Sequence, residues 1–162
     1  MSVELLPMGE RAVLAETADL ADALALHRNL EAHPLAGIVD LVPAARMVLV
    51  TFDPALIAES AVRAWLEGAA QTARTDVEPD GPLVEVPIRY DGADLADTAA
   101  LLGVSSEDLA ARHLAASWTV AFTGFAPGFA YLASPDWTFD VPRLGSPRTR
   151  VPAGAVGLAA GF

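Results

Sequence analysis

Residues 124–132, Gly-Phe-Ala-Pro-Gly-Phe-Ala-Tyr-Leu, combine turn-forming residues with aromatic side chains. Pro127 and Gly128 suit the two central positions of a type II turn, because proline fixes φ and glycine accepts a positive φ. Such glycines let a backbone approach a ligand closely, and neighbouring aromatic rings can wall a pocket. The alternative is a tight turn that places aromatic rings in a β core. The candidate residues of a pocket loop are Gly124, Phe125, Pro127, Gly128, Phe129 and Tyr131.

A second candidate is the basic segment over residues 141–154, where three arginines follow Asp140 without any acidic residue. The planar guanidinium group can pair through two hydrogen bonds with a carboxylate or a phosphate. Prolines on both sides of the arginines stiffen the backbone and reduce the entropy lost when a ligand is bound. The alternative is a solvated loop that balances an acidic protein. The candidate anion-binding residues are Arg143, Arg148 and Arg150.

The histidines offer one candidate for acid–base chemistry. His113 immediately precedes a predicted strand and is the candidate proton-transfer residue. His27 and His33 fall in a predicted helix and at its end, where structural or surface roles are expected. No histidine has the spacing of a metal site, and no Gly-x-Ser-x-Gly motif is present, so a metal centre and a self-contained hydrolase triad are not predicted.

Composition excludes several other functions. The net charge of −11 argues against binding to nucleic acid or to an anionic membrane. The ten basic residues are all arginines, so this sequence has no P-loop lysine and no Schiff-base lysine. It has no cysteine, no apolar run long enough for a transmembrane helix and no signal-peptide pattern at its start. A cytoplasmic protein is therefore expected.

The first half of the sequence predicts a small α/β sandwich. Apolar patterns predict strands over residues 2–7 and 11–16, a helix over 18–33, and strands over 37–42 and 46–52. A second helix is predicted to begin at Asp53-Pro54, an N-cap acid followed by a first-turn proline, and to bury Ala58, Val62, Trp65 and Ala69 on one face. The order ββαββα is typical of an open-faced sandwich.

The polar, turn-rich stretch between residues 73 and 82 predicts a boundary between domains over residues 1–76 and 83–162. Beyond it, alternation predicts a strand over 84–90, and two short helices follow, separated near Gly103 and Ser105. A further strand is predicted around Trp118–Phe122. The glycines and prolines from residue 124 onward indicate loops and short strands.

Taken together, these motifs resemble one family. The run at 124–132, then Pro142-Arg143, then Ser-Pro-Arg-Thr-Arg-Val-Pro-Ala-Gly-Ala-Val-Gly at 146–157 are similar to the signature of the family that contains the B subunit of 5-oxoprolinase, allophanate hydrolase subunit 1 and KipI. The segment Val-Pro-Ile-Arg-Tyr-Asp-Gly at 86–92 and the pair Arg112-His113 also resemble that family. Residues 1–80 agree with that family mainly in size and in the order of predicted strands and helices.

The resemblance implies an α+β fold, with a small N-terminal α/β domain followed by a cyclophilin-like β-barrel domain. It also implies ATP-dependent opening of the lactam 5-oxoproline to glutamate, or hydrolysis of a related amide such as allophanate. ATP is then the cofactor, bound by this chain or by a companion subunit of the subunit 2 type. Under this hypothesis the three arginines hold phosphate or the substrate carboxylate, glycines 124 and 128 shape the pocket, and His113 transfers or orients a proton.

Two departures from the family pattern shape the expectation. Ala155 stands where the family usually has serine, and the sequence stops at Phe162, where the family continues through further conserved segments. About 80 residues are few for a closed barrel, so we expect a truncated barrel domain or an open edge covered by a partner. The alternative function is that of a regulatory binding protein of the kinase-inhibitor type without turnover, which predicts an exposed apolar patch.

Overall fold

The computed structural model describes residues 1–75 and 81–159. Two compact units are found. The first contains residues 1–80 together with 120–132, and the second contains residues 81–119 together with 133–162. The domain division at residues 76 and 83 stays a prediction, since the first unit also takes in a later hairpin segment.

A four-stranded antiparallel sheet forms one layer of the first unit. Its order is β1-β2-β4-β3, so the third and fourth strands in sequence exchange places in space. In β4 the side chains alternate between buried and half-buried, as expected for a central strand with one face on a core. The strands are β1 (Glu4–Pro7), β2 (Ala12–Glu16), β3 (Ile38–Pro43) and β4 (Met47–Phe52).

Two helices form the second layer of this unit: α1 (Leu20–Ala32) and α2 (Glu59–Thr72). Asp19 caps α1, because its carboxylate accepts a hydrogen bond from the Asp22 N–H at 2.9 Å. Both helices pack their apolar faces against the sheet, and the order ββαββα is confirmed. The core of the unit contains Val13, Ala15, Leu26, Leu30, Val48, Val50, Phe52, Val62, Leu66 and Ala70.

The predicted start of the second helix is wrong. Asp53 accepts a hydrogen bond from the Ala55 N–H at 3.0 Å, and its carbonyl accepts from Leu56 and Ile57, which closes one isolated turn. Ala58 is then extended, and α2 begins after it. An Asp-Pro start is satisfied equally well by a single turn, so the motif could not fix how far the helix extends.

The face that α2 buries also differs from the prediction. Val62, Leu66 and Ala70 are buried, while Trp65 and Ala69 pack at the margin of the core and Ala58 is exposed. The buried stripe is therefore rotated by part of a turn from the one predicted. Leu66 is wholly apolar and fully buried, whereas the indole N–H of Trp65 donates to the His33 carbonyl, which keeps that ring at the margin.

Two short helices belong to the second unit: α3 (Leu95–Leu101) and α4 (Ser106–Ala115). Gly103 lies between them with a φ of +72°, a value that favours glycine. The Ser105 hydroxyl accepts a hydrogen bond from the Asp108 N–H at 3.0 Å, which confirms the predicted cap. The helix boundaries expected from Gly103 and Ser105 are thus correct.

A two-stranded hairpin completes the described secondary structure, with β5 (Thr119–Thr123) and β6 (Ala130–Ala133) joined by the glycine- and proline-rich segment. The strand predicted over 84–90 is wrong, since these residues form no strand within the described part of the chain. Pro87 removes one backbone donor from that segment. The α+β class is confirmed, but residues 1–75 and 81–159 contain no closed barrel, so the barrel stays an implication of the resemblance.

No helix in the described ranges has both the length and the apolar character needed to cross a membrane.

Candidate functional site

The tip of the hairpin forms the turn that its sequence predicts. The Phe129 N–H donates a hydrogen bond to the Ala126 carbonyl at 3.0 Å, with Pro127 and Gly128 at the two central positions. Gly128 has a φ of +78°, the conformation that a type II turn needs at its third residue. The turn predicted at this dipeptide is therefore confirmed.

The aromatic side chains of the hairpin pack on one another. Phe122 stacks on Tyr131 with ring centroids 4.5 Å apart, and Phe129 meets Tyr131 edge-on at 5.1 Å. Phe125 lies edge-on to Phe129 at 5.4 Å, yet 88% of its surface is exposed. These residues line neither of the two cavities described below. Their role as a pocket loop stays a prediction.

Phe125 has an unusual backbone conformation. Its φ is +65°, and it is the non-glycine residue with a positive φ in the described chain. The left-handed region costs an ordinary L-residue about 1–2 kcal/mol, and bulky side chains rarely occupy it. The turn thus holds an exposed phenyl ring at an energetic cost.

The three candidate arginines differ in their surroundings in the described structure. Arg148 pairs with Asp94 through two hydrogen bonds, one of them from Nε to Oδ2 at 3.1 Å and the other from Nη2 to Oδ1. Arg143 and Arg150 are exposed and take part in none of the ion pairs found in the described ranges. The sequence offered no signal for the Asp94 contact, since 54 residues separate the partners.

His113 lies at the centre of an aromatic cluster in the second unit. Its Nδ1 is 2.9 Å from the Tyr90 hydroxyl, and its ring centroid lies 4.8 Å from Trp118 and 5.7 Å from Trp137. The Trp118 Nε1–H donates to the His113 carbonyl at 3.0 Å. Only 8% of His113 is exposed, and it lines neither cavity.

Burial lowers the pKa of His113 below its ordinary value of 6.5, because the apolar rings around it disfavour the imidazolium ion. At neutral pH the ring is therefore neutral, and its Nδ1 can form a hydrogen bond with the Tyr90 hydroxyl without carrying charge. His113 is therefore part of the packing of this aromatic cluster. Its role as a proton-transfer residue stays a prediction.

Beside this cluster is a cavity of about 180 Å³. It lies between the end of α4 and the turn that follows β6. Trp137 forms part of its wall and also contacts Trp118 and Phe139 at centroid distances of 5.4 Å. The lining residues are Arg112, Ala115, Ala116, Asp136, Trp137, Thr138 and Phe139. The sequence analysis missed Asp136, Trp137 and Phe139; an acid followed by two aromatic residues at alternate positions was the available signal.

The first unit contains a more open cavity of about 300 Å³, bordered by α1, β3 and α2. Trp65 forms one wall, and its indole N–H donates to the His33 carbonyl at 3.0 Å. The remaining lining is mainly aliphatic, apart from Glu31 and Asp40. None of the candidate site residues lies here.

No group of three or more histidine and acidic side chains is placed to hold a metal ion in the part of the chain that the structure describes.

A family profile decides the relationship of the chain. The family described as "Carboxyltransferase domain, subdomain C and D" matches residues 3–162. The chain belongs to this family.

Two curated relatives are each named as the B subunit of 5-oxoprolinase. The relative from Escherichia coli O157:H7 is 34% identical over 132 residues, which cover 76% of this chain and 58% of the relative. The relative from Bacillus subtilis (strain 168) is 33% identical over 144 residues, which cover 80% and 60%.

The chain therefore spans about 60% of the length of these relatives. Among solved structures, that of TTHA0988 is similar over 93% of this chain and 30% of that chain, with 33% identity and a TM-score of 0.70. The urea amidolyase of K. lactis is similar over 80% of this chain and 10% of that chain, with 17% identity and a TM-score of 0.55. At that identity the second likeness concerns the fold alone. The resemblance to the B subunit of 5-oxoprolinase is confirmed.

Proposed function

We propose that the chain acts as part of the B subunit of an ATP-dependent 5-oxoprolinase, together with companion subunits. In this reaction 5-oxoproline, ATP and water give glutamate, ADP and phosphate. The observation that supports the proposal most strongly is the 33–34% identity, over three quarters or more of this chain, to two relatives that carry the name of that subunit.

The chemistry of the reaction explains why exposed arginines matter. A lactam is a stable amide, and phosphorylation of its oxygen by ATP would turn that oxygen into part of a leaving group. Negative charge then develops on oxygen atoms that need hydrogen-bond donors. Arg143 and Arg150 are exposed guanidinium groups outside the ion pairs of the described chain. We assign them to phosphate or carboxylate binding, with the nucleotide held by this chain or by a companion subunit.

Arg148 receives a different assignment. Its guanidinium is already engaged by the Asp94 carboxylate through two hydrogen bonds. Such a pair fixes the proline-rich segment to the start of α3 and leaves fewer donors for a ligand. Arg148 therefore holds the segment in place, while Arg143 and Arg150 carry its anion-binding capacity.

The test is to purify the chain with its companion subunits and to measure ADP and glutamate release with and without 5-oxoproline. Arg143→Ala and Arg150→Ala should each lower kcat/KM by about 10- to 100-fold, as expected for a lost hydrogen bond to a charged group. Arg11→Ala, which removes an exposed arginine in the first unit, is the matched control and should leave turnover unchanged. An assembled complex that releases no glutamate would contradict the proposal.

The exposed Phe125 favours a second candidate, a regulatory binding protein without turnover. A phenyl ring that is 88% exposed, at a strained backbone position, is suited to insertion into a partner's apolar pocket. Under this alternative, Phe125→Ala abolishes assembly with the partner, and the arginine variants change nothing that can be measured. Substrate-dependent ADP release by the complex would exclude it.

A further inference from the structure

We propose that the cavity beside α4 is a subsite for a small cyclic amide that carries a carboxylate, in which Arg112 binds the carboxylate and Asp136 accepts the ring N–H. The proposal rests on the proposed function, because 5-oxoproline is the ligand of this class that the reaction would use. It gives that substrate a position in this chain that none of the predicted site residues occupies.

Arg112 is held in place but keeps its hydrogen-bond donors. Its guanidinium carbon lies 5.2 Å from the centroid of the Phe139 ring, a distance at which cation and ring attract each other. Its guanidinium N–H groups take part in none of the hydrogen bonds found among the described residues, so all five donors are available to a ligand. No carboxylate of the described residues lies within ion-pair distance of Arg112. A ligand carboxylate would supply the missing counter-charge.

Asp136 lines the same cavity and is held by two hydrogen bonds. Its Oδ2 accepts a hydrogen bond from the Ser117 N–H at 3.2 Å, and its own N–H donates to the Ser134 hydroxyl at 3.1 Å. Its Oδ1 accepts none of the hydrogen bonds found in the described ranges. An ionised carboxylate only accepts hydrogen bonds, so the cavity favours a ligand with an N–H group.

The walls of the cavity suit a flat, small ring. Trp137 contacts His113, Trp118 and Phe139, so its indole is held by a packed cluster. A volume of about 180 Å³ is smaller than the ~300–1,000 Å³ typical of sites for drug-sized ligands. A single five-membered ring with one substituent fits a cavity of this volume better than a nucleotide does.

The charges of the cavity also favour binding of the substrate over binding of ATP. Arg112 and Asp136 line the cavity without pairing with each other, so the cavity offers a ligand one positive and one negative group. A triphosphate would meet the Asp136 carboxylate at close range, and like charges there repel. A monocarboxylate with a neutral N–H donor satisfies both groups.

The test measures binding without ATP and without companion subunits. The three indole N–H signals of the chain, from Trp65, Trp118 and Trp137, are followed by NMR during titration with 5-oxoproline. We expect the Trp137 signal to shift and saturate. Two analogues act as matched ligands: 2-pyrrolidinone, which lacks the carboxylate, and N-methyl-5-oxoproline, which lacks the N–H. Each should bind at least about tenfold more weakly, as expected for loss of a hydrogen bond to a charged group.

Variants assign each contact. Arg112→Gln should weaken 5-oxoproline binding by about tenfold or more and leave 2-pyrrolidinone binding unchanged, since the analogue has no carboxylate to lose. Asp136→Asn keeps an oxygen for the Ser117 N–H and should reduce the discrimination against the N-methyl analogue. Arg89→Gln, at an exposed arginine of the same unit, is the control.

Three results would overturn the subsite: a Trp137 signal that does not shift, equal binding of all three ligands, or an Arg112→Gln variant with unchanged affinity. The ligand series decides the question even if a variant fails to fold. The proposed function can fail separately. An assembled complex without turnover, whose chain still binds 5-oxoproline at Trp137, contradicts the enzyme but keeps the subsite. Turnover with an unchanged KM in Arg112→Gln keeps the enzyme and removes the subsite.

Discussion

The two units are stabilised in different ways. The first has a sheet and two helices around ten buried residues, nine of them aliphatic. The second buries few aliphatic side chains and gathers Tyr90, His113, Trp118 and Trp137 around one hydrogen-bonded pair. Aliphatic packing follows from surface burial and depends little on orientation, whereas rings and hydrogen bonds require defined geometry. The Arg112–Asp136 cavity lies in the second unit, beside this cluster.

The largest expected effect tests the core of the first unit. Leu66→Ala removes a fully buried side chain from the centre of the α2 face, and the free energy of unfolding should fall by about 2–5 kcal/mol. Hydrogen exchange measured by NMR should show lost protection in β2 and β4. The amides of α4 report on the second unit in the same experiment.

The control for this prediction is Leu56→Ala. Leu56 is 75% exposed, so its replacement should change the free energy of unfolding little. If Leu66→Ala leaves the protection of β4 intact, the core assignment fails. If α4 loses protection together with β4, the two units unfold cooperatively, and their different packing does not give them separate stabilities.

Aliphatic periodicity accounts for what the sequence predicted well. The alternation in residues 46–52 identified β4, because it reports which side chains of a strand leave water. The helical pattern over residues 18–33 identified α1 as a helix. Boundaries were less certain. Asp53-Pro54 satisfied the rules for a helix start, but local hydrogen bonds closed a single turn instead.

An intermediate effect concerns the aromatic cluster of the second unit. The folded state holds the pKa of His113 below its unfolded value of about 6.5, so the unfolded chain binds the proton first as the pH falls. The stabilisation by the neutral ring is complete above pH 6.5 and is lost as the pH falls from there through the folded-state pKa. The loss should be smaller than that caused by Leu66→Ala.

Thermal unfolding of the chain between pH 7.5 and 5 measures this effect. His113→Gln keeps a hydrogen-bonding group near Tyr90 but does not titrate, so its Tm should vary less with pH than that of the parent chain. Gln71→Ala, at an exposed position of α2 whose side chain does not titrate, is the control and should retain the parent's pH dependence. A parent chain that becomes more stable on acidification would show that His113 is not the controlling group.

The candidate site was predicted less completely than the fold. The sequence identified the Pro127-Gly128 turn because turn geometry is local. It could not show that Asp94 engages Arg148, or that Asp136 and Arg112 line one cavity, because those contacts join residues that are far apart in sequence. Residue type indicates what a side chain can bind, and only the fold decides which partner it meets.

The smallest expected effect concerns Phe125, where side-chain packing and backbone strain oppose each other. Its φ of +65° costs an L-residue about 1–2 kcal/mol, whereas glycine adopts it freely but loses more entropy on folding. Phe125→Gly should therefore change the free energy of unfolding by less than about 1 kcal/mol. Phe125→Ala keeps the strain and loses the ring, so it should be less stable than Phe125→Gly by about 0.5–1 kcal/mol.

Urea denaturation of the two variants, measured side by side, gives this difference directly, and the pair is matched because both lose the contact with Phe129. An alanine variant at least as stable as the glycine variant would contradict a left-handed conformation at this position. The expected order, combined with weakened assembly in both variants, would show that the turn accepts strain in order to present the phenyl ring. The hairpin would then differ from the core of the first unit, whose buried aliphatic residues act through stability alone.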